Sequence, residues 1–388
     1  MRIGMVMSLP FPPREGMGFY VWNLSRYLTK QGHTVHIITR GGAKETQHEC
    51  VDGIHIWRPA FLPVYPIHVH LHGVFVDRLV QQLEGKIDLF HLHTPLVKQL
   101  NTRRPTLVTV HTPMKADTGS IPVTNLLGLL IRLQAPVSYQ LEKGIFAKAG
   151  AITAVASSVA QELGAYAIDA RSVHVLGNGV DTEQFSPVPF DVNKKYPYFL
   201  TVGRLAPRKG LKDLLKCAAI VHKKYPDYRF LIAGEGPLQS ELEHEIRELN
   251  LLNCVKLLGH VEDRKRLINL YRGATGYAHA AHYEGLPTAL LEAMSCGRPV
   301  VTTAVSGALD VIQHGENGLL VPAHAPAEMA KAVEHLITQP SFAATMGKFA
   351  HKTIENRYSW HVISRNYVAC YESLLQQTAS NHEVLANA

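Results

Sequence analysis

Residues 282–301 read His-Tyr-Glu-Gly-Leu-Pro-Thr-Ala-Leu-Leu-Glu-Ala-Met-Ser-Cys-Gly-Arg-Pro-Val-Val. Glu284 lies in a Gly/Pro loop, and Glu292 follows after seven intervening residues, inside the predicted helix. Pro287 suits the first helical position, where its missing N–H costs nothing. The apolar residues after it predict a buried helix face. We therefore expect Glu284 at the mouth of a site and Glu292 deeper within it.

The start of this helix is predicted to bind an anion. Its first N–H groups, which include those of Leu286, Thr288 and Ala289, have no partner within the helix, and such helix starts attract phosphate. A buried carboxylate needs a partner, and a pair of ligand hydroxyls would serve Glu292. For an isolated pair of acids, an ordinary amphipathic helix would be the better interpretation.

A basic turn follows the predicted strand Tyr198–Val202. It reads Val202-Gly-Arg-Leu-Ala-Pro-Arg-Lys-Gly210. Arg204 and Lys209 would lie at a strand end beside a helix start, where a guanidinium and an ammonium could neutralise a diphosphate. The turn alone supports a solvated basic loop equally well.

Length and composition predict two globular domains without a nucleic-acid function. The chain has 388 residues and a net charge of +7, but its basic residues do not cluster, so we expect no nucleic-acid partner. Its five cysteines are scattered without CxxC spacing, which favours reduced thiols and a cytoplasmic location. The N-terminal residues lack a signal-peptide pattern.

Strand-like apolar runs alternate with helical patterns along the whole chain. This alternation predicts an α/β protein with two doubly wound, Rossmann-like domains and a cleft between their strand ends. The polar stretch Asp181–Pro197 interrupts the rhythm. We expect an N-terminal domain at residues 1–184, a linker at 185–197, a second domain at 198–359 and a final helical segment at 360–388.

At this point the sequence resembles a known family. Glu-x7-Glu followed by Ala-Met-x-Cys-Gly-x-Pro-Val, together with Gly-Arg-Leu-x4-Gly, resembles the retaining nucleotide-sugar glycosyltransferases of family four (glycosyl transferases group 1). The resemblance implies the GT-B fold, a final segment that packs back on the N-terminal domain, and transfer of a sugar from a nucleotide-diphosphate donor to an acceptor hydroxyl. It implies a hexosyltransferase that needs neither a metal nor another cofactor.

The resemblance also implies roles for individual residues. Arg204 and Lys209 would clamp the diphosphate, Glu292 would bind the ribose hydroxyls, and Glu284 would bind the transferred sugar. The donor would also contact the helix start at Gly285, Leu286 and Thr288.

Two segments of the N-terminal half resemble further family positions. His111, in Val110-His-Thr-Pro113, would contact the donor sugar, although a lone histidine at a strand end is more often structural. His93 resembles a second such position. The loop Pro12–Gly18 has Glu15-Gly16 where the family has a glycine pair, and we assign the donor contact to Gly16. As a dinucleotide-binding fingerprint the same loop lacks its third glycine.

A metal site is the alternative that three histidines raise. His68, His70 and His72 alternate as in a strand and would share one face. Without a carboxylate beside them, a structural or acceptor-loop role is favoured over a metal site. We therefore expect no metal.

The acceptor is predicted only by class. The apolar run Ile121–Leu133 raises the hypothesis of peripheral contact with the inner face of a membrane and a lipid-linked glycan acceptor, whereas its lack of a polar face favours a buried helix. Two other functions remain open: an NAD(P)-dependent oxidoreductase and a non-catalytic sugar-binding homologue.

Overall fold

The chain folds into two compact units. The computed structural model describes residues 1–13, 16–42, 45–62, 68–95, 97–115, 126–189 and 196–386. One unit consists of residues 1–177 and 360–388, and the other of residues 178–359.

The first unit is built on a mostly parallel sheet. In its described residues the strands are β1 (Arg2–Pro10), β2 (Thr34–Arg40), β3 (Gln47–Val51), β4 (Ile54–Arg58), β5 (Leu89–Thr94), β6 (Thr106–Val110), β7 (Ala151–Ala154) and β8 (His174–Val175). Their order is β3-β4-β2-β1-β5-β6-β7-β8. The β3–β4 pair is antiparallel and the other neighbours are parallel.

The second unit is built on a fully parallel sheet. Within the described residues its strands are β9 (Tyr198–Val202), β10 (Arg229–Ala233), β11 (Val255–Gly259), β12 (Gly276–His279), β13 (Val300–Thr303) and β14 (Leu319–Val321). Their order is β11-β10-β9-β12-β13-β14, with every pair parallel. The two central strands bury Leu200 and Tyr277 completely.

Helices connect the strands in both units. The described helices are α1 (Gly16–Lys30), α2 (His68–Leu83), α3 (Leu126–Lys148), α4 (Ser157–Glu162), α5 (Leu211–Lys224), α6 (Gln239–Glu248), α7 (Arg264–Gly273), α8 (Thr288–Ser295), α9 (Ala308–Val311), α10 (Pro326–Thr338), α11 (Pro340–Arg357) and α12 (Trp360–Ala386). Short 3₁₀ turns occupy Glu84–Lys86, Leu163–Tyr166, Ala170–Ser172 and Pro207–Lys209. In the described part of the chain, none of the helices has both the length and the apolar character needed to cross a bilayer.

The strand order places a switch point in each sheet. In the second unit the chain runs from β9 outward to β10 and β11 on one side, and then returns to β12 on the other side. In the first unit β1 and β5 have the same relation. Ligands of doubly wound proteins bind at the carboxyl ends of such strand pairs, so a ligand site is expected at the loops after β9 and β12.

The boundary between the units differs from the expected one. Residues 178–184 belong to the second unit, because Val180 pairs with Ser359 and its N–H donates to the carbonyl of Tyr358 at 2.8 Å. At the other end, α12 belongs to the first unit. There the Tyr20 hydroxyl donates to that of Tyr367 at 2.7 Å.

The strand predicted around His68, His70 and His72 is wrong, because these residues begin helix α2. In a helix, residues two positions apart lie about 200° apart, whereas His68 and His72, four positions apart, lie about 40° apart. His72 is buried and its Nδ1 lies 3.4 Å from the hydroxyl of Ser8. The predicted row of three histidines is therefore not formed.

The acceptor hypothesis falls on residues that the structure covers only in part. Residues 121–125 lie outside the described residues, and residues 126–133 belong to helix α3. Contact of Ile121–Leu133 with a membrane stays a prediction.

Candidate active site

An ion pair joins the two loops at the switch point of the second unit. Lys209 ends the loop that follows β9, and Glu284 lies in the loop that follows β12. The ammonium of Lys209 contacts Oε1 of Glu284, and both side chains are largely buried, with exposed fractions of 15% and 19%. The structure thus brings together two predicted site residues that are 75 positions apart in sequence.

His279 is a second partner of the Glu284 carboxylate. His279, at the end of β12, has its Nε2 2.9 Å from Oε2 of Glu284 and its Nδ1 3.1 Å from the Thr302 hydroxyl. Burial alone would raise the pKa of Glu284, but the charge of Lys209 and the contacts of His279 outweigh it and lower that pKa to about 2. A carboxylate only accepts hydrogen bonds, so Nε2 of His279 carries the donated proton.

Glu292 has a different environment. It lies in helix α8, where the hydroxyl of Tyr271 donates to its Oε2 at 2.8 Å and Arg264 approaches its Oε1 at 4.0 Å. Burial raises the pKa of Glu292, against the opposing effects of Arg264 and Tyr271. The ring of Tyr277 lies between those of Tyr271 and His279, with centroids 6.0 and 6.3 Å away. The rings of Tyr271, Tyr277 and His279 thus form a chain of contacts between Glu292 and Glu284.

Helix α8 begins one residue later than predicted. Pro287 precedes it as the capping residue, with φ −73° and ψ 109°, and its carbonyl accepts from the N–H groups of Leu290 and Leu291. Leu290, Leu291, Ala293 and Met294 are fully buried. This anchoring leaves the first N–H groups of the helix, beside Gly285, Leu286 and Thr288, at the sheet edge that carries Glu284.

The loop after β13 packs against the Glu284 loop. The N–H of Gly307 donates to the carbonyl of Gly285 at 2.7 Å, and a Cβ at Gly307 would lie only 2.1 Å from that oxygen. Only glycine allows this approach. The preceding Ser306 has φ +41°, a left-handed conformation that is uncommon outside glycine.

Gly210 allows the loops after β9 and β12 to touch. Its φ is +61°, and a Cβ there would lie 1.9 Å from the carbonyl oxygen of Ala280. Nearby, the N–H of His282 donates to the carbonyl of Arg208 at 2.8 Å. The position of Lys209 relative to Glu284 therefore depends on a residue without a side chain at position 210.

Replacing Gly210 with alanine is expected to lower the free energy of unfolding by about 3 kcal/mol, since the left-handed conformation costs about 1–2 kcal/mol and the backbone clash adds a similar amount. Gly315→Ala is the matched control, because Gly315 has φ +83° and no atom within 4 Å of its added Cβ. Urea unfolding of both variants measures the difference. Equal losses at the two positions would show that the two loops are not in contact at Gly210.

In the first unit, His111 belongs to a buried network of rings. Its Nε2 lies 3.3 Å from Nδ1 of His93, and its ring packs edge-on against Tyr20 at 4.8 Å. Burial lowers the pKa of His111 to about 3. His111 is therefore neutral near pH 7 and can both donate and accept a hydrogen bond.

Gly16 begins helix α1 at the end of the loop that follows β1. A Cβ on Gly16 would meet nothing within 4 Å, so packing inside the protein does not require glycine at this position. Glu15 lies outside the described residues. The donor contact assigned to Gly16 stays a prediction.

Arg204 differs from Lys209 in its surroundings. It is exposed, and its guanidinium makes no ion pair with another residue of the described chain.

Sequence reasoning missed His279 and Tyr271, which contact the two glutamates directly. A signal for His279 existed, because it ends the strand that leads into the Glu284 loop.

Comparison with known proteins covers most of the chain. The family model of the glycosyl transferases group 1 matches residues 183–356, and that of glycosyltransferase family 4 matches residues 14–184. A D-inositol 3-phosphate glycosyltransferase of Kribbella flavida is 26% identical over 94% of this chain and 92% of its own length.

Solved structures show the same fold. Sucrose-phosphate synthase from Thermosynechococcus elongatus has a TM-score of 0.78 and 21% identity, over 97% of this chain and 99% of that chain. Anabaena HepE in complex with UDP-glucose has a TM-score of 0.72 and 19% identity, over 96% and 100%. Both likenesses confirm the predicted GT-B fold. Since the two family models together match residues 14–356, the chain belongs to the glycosyl transferases group 1 and is a glycosyltransferase.

Proposed function

We propose that this glycosyltransferase moves a hexosyl group from a nucleotide-diphosphate sugar to an acceptor hydroxyl with retention of the anomeric configuration. The observation that carries the proposal is the Lys209–Glu284 pair beside the start of helix α8. A cation, free helix N–H groups and an ionised carboxylate are suited to a diphosphate joined to a sugar. HepE, a protein of the same fold, was solved with UDP-glucose.

In the proposed reaction, the bond between the anomeric carbon and the diphosphate oxygen breaks as the acceptor oxygen bonds to the same face of that carbon. The leaving phosphate takes the acceptor proton. Lys209, Arg204 and the N–H groups at Leu286 and Thr288 stabilise the charge that develops on the diphosphate. No step of this route uses a metal ion.

The two glutamates have separate tasks in this proposal. Glu284 is ionised at neutral pH, as its pKa of about 2 requires, and accepts hydrogen bonds from hydroxyls of the transferred sugar while supporting its cationic transition state. Glu292, whose Oε2 already accepts a hydrogen bond from the Tyr271 hydroxyl, binds the ribose hydroxyls. In the first unit, neutral His111 contacts the sugar and Gly16 the donor. A glycan or lipid-linked glycan is the proposed acceptor.

A thermal-shift panel of UDP-, GDP- and ADP-sugars tests the donor part of this proposal. One donor is expected to raise the melting temperature of the protein according to its affinity and concentration, and Arg204→Ala is expected to lose most of that rise. Arg208→Ala is the matched control, because Arg208 is also exposed and lies in the same loop. If no nucleotide sugar changes the melting temperature, the proposed donor class is wrong.

Turnover separates the proposal from its alternatives. The comparisons do not favour an NAD(P)-dependent oxidoreductase. A non-catalytic sugar-binding homologue would show the thermal shift without releasing nucleoside diphosphate. The anomeric configuration of the product, read by NMR, would decide between retention and inversion.

A further inference from the structure

A second group of polar side chains lies next to the Glu284 loop. Asp213 belongs to the first turn of α5, His282 precedes Glu284 by two residues, and His324 lies in the loop after β14. Nε2 of His282 is 2.8 Å and Nδ1 of His324 is 3.6 Å from Oδ2 of Asp213. One ligand atom from each residue lies within 4.8 Å of the other two.

We propose that Asp213, His282 and His324 bind a divalent transition-metal ion of the zinc type. Two imidazole nitrogens and one carboxylate oxygen are a common protein ligand set for such ions, with the remaining positions open to water. With metal–ligand distances of about 2.0–2.2 Å, tetrahedral ligand atoms lie about 3.4 Å apart. The two observed distances, 2.8 and 3.6 Å, lie on either side of that value.

The backbone at His324 supports the proposal. His324 has φ +58°, a left-handed conformation that costs a residue with a side chain about 1–2 kcal/mol relative to glycine. This conformation accompanies an imidazole placed against His282, with ring centroids 3.7 Å apart. Strained backbone conformations cluster at functional sites.

The surroundings allow an ion to enter and to be held. The His324 side chain is 68% exposed, whereas those of Asp213 and His282 are 17% and 27% exposed, so solvent reaches the group mainly at His324. Lys216 approaches the other oxygen of Asp213, Oδ1, at 3.9 Å. Oδ2 is the oxygen that faces both imidazoles.

Such an ion would connect three segments of the second unit. The N–H of His282 already donates to the carbonyl of Arg208, next to Lys209. An ion on His282 would therefore fix the Glu284 loop to the start of α5 and to the loop after β14. This role is structural and separate from sugar transfer, so its test does not depend on the proposed function.

Titration of the chelator-treated full-length protein tests the site. Zn²⁺ followed by calorimetry, and Co²⁺ followed by its visible absorption, are expected to show one saturable site in the wild type. His324→Asn is expected to weaken that binding by about 100-fold or more, because loss of a ligand should cost at least as much as loss of an outer-shell partner. Asparagine tolerates the left-handed backbone, so this variant should fold.

A matched control guards against general binding to surface histidines. Nε2 of His244 lies 3.4 Å from Glu248 on an exposed helix face, which gives it a carboxylate partner as His282 has. His244→Asn should leave the affinity unchanged, and Asp213→Asn should weaken it as His324→Asn does. Absence of a saturable site in the wild type, or equal weakening by His244→Asn and His324→Asn, would overturn the proposal. Zn²⁺ should also raise the melting temperature of the wild type but not of His324→Asn.

Discussion

Replacing Lys209 with methionine is expected to lower kcat/KM for sugar transfer by about 10²–10³-fold. Under the proposed function, the Lys209 ammonium faces the diphosphate oxygen that gains charge as the glycosidic bond breaks. Removal of one such group from a preorganised site costs about this factor. The measurement is release of nucleoside diphosphate from the donor that gives the largest thermal shift.

The same change should also affect stability. Methionine leaves the carboxylate of Glu284, which is 19% exposed, with His279 as its remaining partner. We expect a loss of about 2 kcal/mol in the free energy of unfolding, because a largely buried charge that loses its partner is costly. The pKa of Glu284, held at about 2 mainly against burial by the charge of Lys209, should rise.

The double variant Lys209→Met/Glu284→Gln separates the two roles of the pair. It should recover most of the stability, since no unpaired charge remains, and recover none of the activity. Lys209→Arg keeps the charge but replaces a compact ammonium with a planar group, and should lose less activity than methionine. Activity of Lys209→Met within threefold of the wild type would exclude Lys209 from the diphosphate site.

The pairing of Lys209 with Glu284 shows where sequence reasoning ends. Each residue was predicted as a site residue from its own loop. Their contact depends on β9 and β12 being neighbours in the sheet, and alternation of strands and helices does not specify which strands are adjacent. Tyr271 was missed because its contact with Glu292 joins two helices that are 21 positions apart in sequence. His279 lies only five residues before Glu284, so its position at the strand end was a signal that the sequence did offer.

Buried parallel strands were the most predictable part of the fold. Residues 198–202 form a strand with the predicted bounds, and residues 106–110, 229–233, 300–303 and 319–321 form parallel strands of the same kind. Strands that are covered on both faces are continuous apolar runs, and polar residues at their ends define the bounds. These strands also position the loops of the site.

The β3–β4 hairpin was missed because its outer strand is polar. Gln47–Val51 is an edge strand with mostly exposed residues, so it has no apolar alternation. The turn Asp52-Gly53 did carry a signal, since an Asp-Gly pair favours a tight hairpin turn. Both residues have positive φ, 51° and 78°, as that turn requires.

Acid is expected to destabilise the first unit far more than the second. Burial lowers the pKa of His91 and His93 well below the ordinary 6.5, with like-charge effects of neighbouring histidines adding to it. Burial likewise lowers the pKa of His36 and His72 to about 4. The histidines with lowered pKa in the described chain all lie in the first unit.

The direction of this pH effect follows from proton binding by the folded and the unfolded chain. Below pH 6.5 the unfolded chain takes up protons at these histidines and the folded unit does not, so the free energy of unfolding falls as the pH falls. His91 and His93 alone should contribute a loss of about 4 kcal/mol between pH 7.5 and 5.0. Glu284, with its pKa lowered to about 2, begins to lose its contribution only below about pH 4.5.

Tryptophan fluorescence measures this loss in the first unit alone, because the three tryptophans, Trp22, Trp57 and Trp360, all lie there. Urea unfolding followed by this signal should give a free energy of unfolding that rises steeply from pH 5.0 to 7.5.

His91→Asn removes one buried imidazole, which lies 2.6 Å from the Thr109 hydroxyl. This variant should be less stable at pH 7.5 but should show a slope smaller by about 1.4 kcal/mol per pH unit below pH 6. His174→Asn, at an exposed position of the same unit, should keep the wild-type slope. A free energy that is equal at pH 5.0 and 7.5 would mean that the buried histidines take up protons without unfolding, against their burial within the ring network.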